Sequence, residues 1–436
     1  MVDHTATARI QRLVRWLEQF KRCFGHRAQL MALRTYVQGV VSDSERKSMQ
    51  AMLARVTEPV AYQAFQHFIT HAPWDADKVW RRLRAVIPER RGVLILDGTS
   101  FPKQGPASVG AARQYCGALG KIANCQVATT VALWTGVRAW CLGATLYLPE
   151  TWLTPEQRHR ARIPAASRFQ EKWRHALSLL RQVRAAGFTI TAVLGDAEFG
   201  DVTLLRAALH RLRLPYALGI SSTLTVFVRR PRLVAPRPRE GRGRPRTARR
   251  VAETDRPMAV RAVARELPRS AWRWIRWRNG TQPSRRARFA ALRVTPAMGW
   301  RVGRLAPEVW LLCEREPDGD LKYYLVHLRP GAGLRRLVEL AHQRWAIEQQ
   351  YQELKSELGL DHFEGRTYPG WQHHVVLTAV AHAYIQRERM RRSAAGLTFP
   401  AVRAIVQEIF TALLFAAKPQ YMRWMEQAKH ELQLRI

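Results

Sequence analysis

Two aspartates of this 436-residue chain each follow an apolar run that is typical of a buried strand. Asp97 comes after Val-Leu-Ile-Leu and Asp196 after Ala-Val-Leu-Gly, and small or turn-forming residues follow both. In an open α/β sheet such strand ends are where sites form, because the backbone there stops covering the side chain. An aspartate at this position can also simply cap the next turn. The pattern by itself therefore leaves a functional and a structural role open.

A third acid, Glu348, lies in a stretch with helical periodicity. Arg344 precedes it by four residues, and Tyr351 and Lys355 follow it by three and seven. At 100° per residue these spacings place all four side chains on one helix face. Such a face is often only a solvated ion pair, here Arg344 with Glu348, worth roughly 0.3 kcal/mol.

Three carboxylates gathered by the fold would bind hard divalent cations. Mg²⁺ prefers oxygen ligands and keeps several waters, so a few carboxylates plus substrate phosphates are enough to hold it. Two such ions about 4 Å apart stabilise the attacking and leaving oxygens of a phosphoryl displacement. An acidic cluster inside a strongly basic chain makes most sense if metal offsets its charge.

The chain carries a large excess of positive charge. Its 71 Lys and Arg against 34 Asp and Glu give a formal net charge of +37. Such a surface repels itself unless a polyanion lies near, so nucleic acid is the expected partner, with binding that weakens steeply as salt rises. The sequence has no run of about 18 apolar residues and no secretory signal at its N-terminus. We therefore expect a cytoplasmic protein with no membrane partner.

The cysteines indicate neither a disulfide framework nor a zinc module, because their number is odd and no CxxC pair occurs. We expect all of them to be small buried apolar residues. They are Cys23, Cys116, Cys125, Cys141 and Cys313.

The periodicity of the chain predicts a mixed α/β protein. Residues 1–88 read as amphipathic helices, and from residue 91 the pattern changes to strands separated by Gly-containing turns. Residues 223–328 read as short β-like runs around an Arg-, Pro- and Gly-rich stretch at 229–250, which we expect to be a mobile basic loop. Residues 333–360 then read as one long helix without Pro, and helices continue to the C-terminus.

Four long blocks of the sequence resemble one known family. They are "LDGTSFPKQGPASVGAARQYCGALGKIANCQVA", "GDAEFG", "WRNGTQ" with "RARFAALRV" after it, and "RWAIEQQYQELKSELGLDHFEGRTYPGWQHH". In this order they resemble the DDE transposases of the bacterial insertion-sequence 701 family, within the larger insertion-sequence 4 superfamily. The resemblance covers most of the chain.

This resemblance implies a ribonuclease H-like catalytic core that a β-rich insertion interrupts before the helix with the last acid. It implies that Asp97, Asp196 and Glu348 are the catalytic residues and hold two Mg²⁺ ions, with Mn²⁺ as a substitute. The implied domains are a helical DNA-binding domain (1–88), the first part of the core (89–222), the insertion with its basic loop (223–328), the second part of the core with the catalytic helix (329–392) and a C-terminal helical segment (393–436).

The superfamily signature around the glutamate is Tyr, two residues, Arg, three residues, Glu, six residues, Lys. Arg344, Glu348 and Lys355 fit it, but the Tyr position is Ala341. We expect Tyr351, on the same helix face, to replace the missing tyrosine.

Six side chains are predicted to contact DNA: Arg344, Lys355, Tyr351, Lys103, Arg113 and Trp310. Trp310 and Trp300 are the candidates for stacking on a flipped base, although such tryptophans more often belong to a core. His373 and His374 are expected to be structural, because the mechanism needs no imidazole.

The resulting hypothesis is a nucleoid-associated, cut-and-paste DNA transposase. A homodimer would bind double-stranded DNA at both transposon ends and join them to target DNA. Two alternatives stay open at this point: a DNA-binding protein with a decayed site, and a nuclease on the same core that never joins ends.

Overall fold

The computed structural model describes residues 4–57, 59–235, 249–277, 285–297, 305–417 and 420. The α-helices are α1 (His4–Glu18), α2 (Arg27–Val41), α3 (Met49–Ala54), α4 (Tyr62–Thr70), α5 (Ala76–Val86), α6 (Pro155–Ala161), α7 (Lys172–Ala185), α8 (Ala197–Gly200), α9 (Thr203–Arg211), α10 (Val260–Glu266), α11 (Leu334–His342), α12 (Ala346–Gln352), α13 (Tyr368–Arg389) and α14 (Phe399–Ala417). The strands are β1 (Arg91–Pro102), β2 (Ala112–Cys116), β3 (Lys121–Trp134), β4 (Ala139–Leu146), β5 (Thr189–Gly195), β6 (Tyr216–Ile220), β7 (Thr225–Phe227), β8 (Leu233–Val234), β9 (Arg250–Val251), β10 (Met258–Ala259), β11 (Arg273–Trp277), β12 (Arg285–Pro296), β13 (Val309–Arg315) and β14 (Leu321–His327).

The predicted mixed α/β class is confirmed by a large mixed sheet. Its central strands follow the order β4-β3-β1-β5-β6. β1 pairs with β3 in antiparallel fashion on one edge and with β5 in parallel fashion on the other, and β5 pairs in parallel with β6. β2 pairs in antiparallel fashion with the first residues of β3, 121–125, and forms a hairpin with them. The rest of β3 pairs with β1.

Alternate residues of β1 supply hydrophobic packing on opposite faces of this sheet, as the two-residue period of a strand requires. Leu94 and Leu96 belong to a cluster that includes residues of α7, while Val93 and Ile95 belong to a second cluster with α11 and α12. Asp97 has the same parity as Ile95, so its side chain lies on the face that α11 and α12 cover.

The prediction that Asp97 ends its strand was wrong. β1 continues five residues further to Pro102, because Gly98–Pro102 keep pairing with β3. On the other edge the parallel pairing with β5 stops at Ile95, opposite Leu194. Asp97 therefore lies in mid-strand, at the point where only one of its two neighbouring strands continues.

The β-like runs predicted between residues 223 and 328 include the strands β7 to β14. β14 pairs with β6 in antiparallel fashion, and β13 and β12 follow it, so these strands extend the same sheet. Residues 236–248 of the expected basic loop lie outside the described residues, and β8 and β9 pair on either side of them. The predicted domain boundaries stay predictions.

The N-terminal helices pack on α13 and share one hydrophobic core with it and with the sheet. Trp16 of α1 donates its indole N–H to the carbonyl of Val380 at 3.3 Å. The hydroxyl of Tyr36, on α2, lies 2.6 Å from ring nitrogen Nδ1 of His374. Within the described part of the chain, no helix has the length and apolarity needed to span a membrane.

The single long helix predicted for residues 333–360 is broken in two places. A 3₁₀ turn at Gln343–Trp345 separates α11 from α12, and a π turn at Glu353–Glu357 follows α12. The sequence has no Pro or Gly at either break, so the usual signals for a kink are missing. Glycine-based capping appears only afterwards, where Gly359 adopts a positive φ of 68°.

Candidate active site

The two aspartates lie next to each other across the β1–β5 pair. Ile95 and Leu194 are register partners, and Asp97 and Asp196 each come two residues later on the same face. Asp97 is buried, with 7% of its surface exposed. Asp196 also caps α8, since its carboxylate accepts the backbone N–H of Glu198 at 3.0 Å. The capping role left open for these aspartates is therefore real for Asp196, without removing it from the site.

Arg344 connects the strand acid to the helix acid. One guanidinium nitrogen donates to Asp97 Oδ1 at 3.1 Å, and the other donates to Glu348 Oε1 at 3.4 Å. The ion pair on the helix face thus exists, and the Glu348 side chain is 57% exposed. The same arginine also reaches a buried carboxylate on the sheet, so this face is more than a solvated surface.

The charges in the site perturb one another. Burial raises the pKa of Asp97 to about 7; Asp196 and Glu348 raise it as well, while Arg344 opposes the shift. For Arg344 burial disfavours the charged form, but the three carboxylates outweigh it and raise its pKa. A carboxyl group with such a pKa marks a place where negative charge is not fully compensated.

Tyr351 and Lys355 extend the site along the same side of the sheet. The Tyr351 hydroxyl lies 2.5 Å from the Thr130 hydroxyl, and Thr130 is the β3 partner of Asp97. Lys355 donates to the carbonyl of Ser100 at 3.0 Å, and its ammonium lies 5.3 Å from the centre of the Phe101 ring. The structure therefore brings the predicted Arg344, Glu348, Tyr351 and Lys355 together around β1.

The donor set suits a hard divalent cation in type, because carboxylate oxygens are the ligands that Mg²⁺ prefers. Asp97 adds a further sign, since a nearby cation would offset the charge that burial disfavours. The geometry is not preformed: among the described residues no group of three His, Cys, Asp or Glu side chains is close enough to hold a metal ion. Glu348 is the exposed member of the set.

The remaining predicted DNA contacts lie in different settings. Lys103 is buried and donates to the carbonyl of Phe363 at 2.5 Å. Arg113 is exposed on β2. Trp310 of β13 donates to the carbonyl of Arg329 at 3.2 Å and packs beside the second hydrophobic cluster. Trp300 lies outside the described residues.

A tyrosine at the position of Ala341 would not fit the observed packing. Ala341 is 5% exposed and belongs to the cluster beneath α11. The Tyr351 hydroxyl already forms a hydrogen bond with the Thr130 hydroxyl. Tyr351 could therefore bind DNA through its hydroxyl only if that hydrogen bond were broken.

Sequence reasoning missed a buried polar network behind the π turn. Glu353 is 5% exposed and accepts hydrogen bonds of 2.9 Å from both His382 and Gln386 of α13. Arg389 lies 3.9 Å from the other carboxylate oxygen. The sequence did contain one signal for this network. Glu353 comes five residues after Glu348, and this spacing places the two glutamates on opposite sides of a helix.

A second missed network lies before α12. Glu314 of β13 is fully buried, and it accepts a hydrogen bond from the Tyr324 hydroxyl at 2.8 Å. His342, at the end of α11, lies 3.4 Å from Glu314 and stacks on Trp277 with ring centres 4.1 Å apart. Burial opposes ionisation of Glu314, yet the neighbouring His342 and the hydrogen bond from Tyr324 hold its pKa below the usual value.

The expected structural residues take structural roles. His373 lies within hydrogen-bonding distance of the carbonyls of Ile69 and Trp74. His374 lies within hydrogen-bonding distance of the carbonyl of Leu360. Of the cysteines, all five are free, four are buried and Cys23 is half-buried.

Comparison with known proteins gives the family. A family model described as "DDE superfamily endonuclease" matches residues 19–284. The chain belongs to the DDE superfamily of endonucleases. The matched segment contains Asp97 and Asp196, while Glu348 lies beyond its end.

Individual proteins that are similar to this chain include two transposases. The first is the "Probable transposase for insertion sequence element IS701" of Microchaete diplosiphon, 32% identical over 189 residues, which are 42% of this chain and 47% of that protein. The match thus spans about half the length of that relative, and it confirms the resemblance stated from the sequence. The second is the piggyBac transposase in a synaptic complex with hairpin DNA, solved by cryo-EM. The alignment covers 91% of this DDE-superfamily chain and 73% of the piggyBac chain. The sequence identity is 11% and the TM-score is 0.44.

Proposed function

We propose that this chain is a DNA transposase that cleaves transposon ends and joins them to target DNA. The observation that carries the proposal is Arg344, whose single guanidinium contacts both Asp97 and Glu348 beside Asp196. Family membership and the similarity to an insertion-sequence transposase support the same reaction class. The strand order β4-β3-β1-β5-β6, with its antiparallel and parallel halves, supports a ribonuclease H-like core.

Asp97, Asp196 and Glu348 would hold the divalent cations, Mg²⁺ or Mn²⁺. When bound, these ions supply Lewis-acid activation of the attacking oxygen and stabilise the leaving oxygen of the scissile phosphate. Glu348 is exposed and lies on a helix, so it completes the ligand set when DNA brings its phosphates into the site.

The basic side chains would position the DNA. Lys355 lies beyond Asp97 along β1, next to Phe101, where its ammonium suits a phosphate one or two nucleotides from the scissile one. Arg344 carries its charge at any working pH and would exchange a carboxylate for a phosphate oxygen as metal enters. Its guanidinium therefore balances the acidic cluster in the free protein and binds the substrate in the complex.

The first test measures cleavage of a labelled transposon-end duplex with Mg²⁺, by wild type and by Glu348→Gln. We expect the variant to lose about a thousandfold in cleavage rate, because a ligand of the catalytic cations is removed. Glu348 is exposed, so the substitution leaves the fold intact.

The matched control for this test is Glu339→Gln. Glu339 is an exposed glutamate of α11 that pairs with an arginine four residues earlier, Arg335, at 3.9 Å. It repeats the Arg344–Glu348 spacing away from the acids, so its variant should cleave like wild type. Equal cleavage by wild type and Glu348→Gln would remove Glu348 from the mechanism.

The joining step separates a transposase from a nuclease. A pre-cleaved end with a free 3′-hydroxyl, supplied with plasmid target and Mg²⁺, should become covalently linked to the plasmid. Cleavage without any joined product would instead support the nuclease alternative. Because one reaction must join two ends, we also propose that two copies of the chain act together on the DNA.

A further inference from the structure

The β2–β3 hairpin, residues 112–124, carries exposed apolar side chains close to the candidate active site. Tyr115 is 65% exposed, Ile122 is 61% exposed, and Leu119 in the connecting turn is 49% exposed. Tyr115 and Ile122 are direct cross-strand partners, so they form one apolar pair on the hairpin surface. Single exposed apolar residues are ordinary, but a group of this kind indicates a contact surface.

The pair lies on the same side of the sheet as the catalytic acids. Ile122 and Thr130 are both on β3, separated by an even number of residues with unbroken pairing along that segment, and Thr130 partners Asp97. The opposite side of the hairpin is closed, because Cys116 and Cys125 pack there into a small buried cluster. The open side of the hairpin therefore belongs to the face that carries the site, but lies beyond a covered stretch of β3 in which Gln126 and Ala128 are each 1% exposed.

The distance along this face can be read from the strand. From Thr130 to Ile122 β3 advances by about 26 Å, at roughly 3.3 Å per residue. A duplex rises about 3.4 Å per base pair, so this span corresponds to roughly seven to eight base pairs. Lys355, over Phe101, lies between the two ends of the span.

The charge around the hairpin fits a polyanion. Between Gly98 and Pro149 the sequence contains no Asp or Glu. The hairpin residues Arg113 and Lys121 are exposed, and no ion pair is described for either within the part of the chain that the structure covers. On the open side the apolar pair lies next to Arg113, two residues before Tyr115, while Lys121 pairs with Cys116 and starts from the closed side at the hairpin turn. Apolar side chains beside exposed cations match double-stranded DNA, whose phosphates bind cations while its sugars and base edges accept apolar contact.

The hairpin is fixed relative to the site through Ser100. The Ser100 hydroxyl accepts the backbone N–H of Ala118 in the hairpin turn at 3.0 Å. The carbonyl of the same residue accepts Lys355 at 3.0 Å. One residue of β1 thus holds both the hairpin and a cation of the catalytic helix, which sets the hairpin at a defined distance from the acids.

We propose that this hairpin is a second DNA-binding element, which contacts duplex DNA roughly seven to eight base pairs from the cleaved phosphate. Tyr115, Leu119 and Ile122 contact the groove, and Arg113, on the same side of the hairpin, contacts a flanking phosphate. The inference rests on the proposed function, because it takes its reference point from the cleaved phosphate.

The test compares binding of two sets of duplexes in the absence of divalent metal. Each duplex carries the inverted repeat of the element that encodes this chain. In the short set about four base pairs remain on one chosen side of the cleavage position, and in the long set about twelve remain on that side. The double variant Tyr115→Ala/Ile122→Ala should bind the longer duplex about tenfold more weakly than wild type on one of the two sides. Binding of the shorter duplex should be unchanged, because it ends before the hairpin.

The matched control is Val137→Ala. Val137 is 64% exposed in the β3–β4 turn, at the other end of β3, and its variant should bind both lengths like wild type. An equal loss on short and long duplexes, no loss on either, or the same loss from Val137→Ala would each overturn the proposal. Cleavage of either duplex by wild type with Mg²⁺ separates the two claims, since the hairpin proposal can fail while Glu348-dependent cleavage persists.

Discussion

Asp97 illustrates what a single residue contributes to this site. It is buried in mid-strand, where solvent cannot stabilise its charge, and burial raises its pKa to about 7 although Arg344 and a hydrogen bond with Tyr351 oppose the shift. A purely structural carboxylate in this position would be better replaced by an amide, which carries no charge to bury. The unfavourable charge is understandable if a cation is to be bound there.

We predict that Asp97→Asn is more stable than wild type at pH 8 in the presence of a chelator. The pKa of Asp97 in the folded protein, about 7, lies above the ordinary value of 3.8. The folded state therefore binds more protons than the unfolded state between these values, and its stability falls as the pH rises through that window. Well above pH 7 the charged carboxylate costs roughly 4 kcal/mol, which the amide avoids.

The measurement is urea unfolding of both proteins at pH 8 and pH 4. The difference in unfolding free energy should be large at pH 8 and should nearly disappear at pH 4, where the carboxyl group is neutral in the folded state and close to its titration midpoint in the unfolded state. A variant that is less stable than wild type at pH 8 would contradict the argument.

At the scale of elements, α12 lies between two buried glutamate–histidine pairs, one near each end. Glu314 lies beside His342 before the 3₁₀ turn, and Glu353 bonds to His382 at the start of the π turn. The two breaks in the helix occur where these pairs anchor it. π turns often occur at functional sites, and this one carries Lys355 to the carbonyl of Ser100.

The helix face itself could be predicted from the sequence, while its breaks could not. The spacing of Arg344, Glu348 and Lys355 is a local property, and it was enough to place them on one side. The breaks coincide with contacts to Glu314 and His382, which lie on other elements of the fold. In the same way, the apolar run before Asp97 predicted β1, but its extension to Pro102 depends on pairing with β3.

We predict that Glu353→Gln lowers the turnover number for DNA cleavage by about tenfold to a hundredfold and leaves the KM for DNA unchanged. The amide weakens the bonds to His382 and Gln386, which lets the π turn relax and moves Glu348 and Lys355 away from β1. Single-turnover cleavage at several DNA concentrations separates the two parameters.

Glu357→Gln is the control for that experiment. Glu357 lies in the same π turn but pairs with Arg403 of α14, at 2.5 Å, on the other side of the helix. Its variant should lose some stability and keep the wild-type turnover number. If both variants slow cleavage equally, the buried pair has no specific positioning role.

At the scale of the whole molecule, the sequence predicted helices at both ends but not that they share a core with the sheet. The N-terminal helices read as a unit because each is amphipathic. Their apolar faces meet α13, which is buried around most of its circumference, and a helix of this kind can lie only inside a larger core. His374 marks this junction, since it contacts Tyr36 of α2 on one side and the carbonyl of Leu360 on the other.

The position of His374 makes the whole fold sensitive to acid. Burial lowers its pKa to about 4, against an ordinary value of 6.5. The unfolded chain binds a proton that the folded protein excludes, so the stability is fully present above pH 6.5 and is lost as the pH falls towards 4. For a residue that is 2% exposed, a shift of this size corresponds to about 3 kcal/mol.

We therefore predict that His374→Gln has a flatter dependence of unfolding free energy on pH between 6.5 and 4 than wild type. Glutamine can keep a hydrogen bond to Tyr36 or Leu360 without a group that takes up a proton, so the variant is less stable than wild type at pH 7.5 and approaches it near pH 4. Chemical denaturation across this range measures both curves, with His67→Gln as a control because His67 lies at the exposed surface of α4. Parallel curves for wild type and His374→Gln would show that protonation at this junction does not drive acid unfolding.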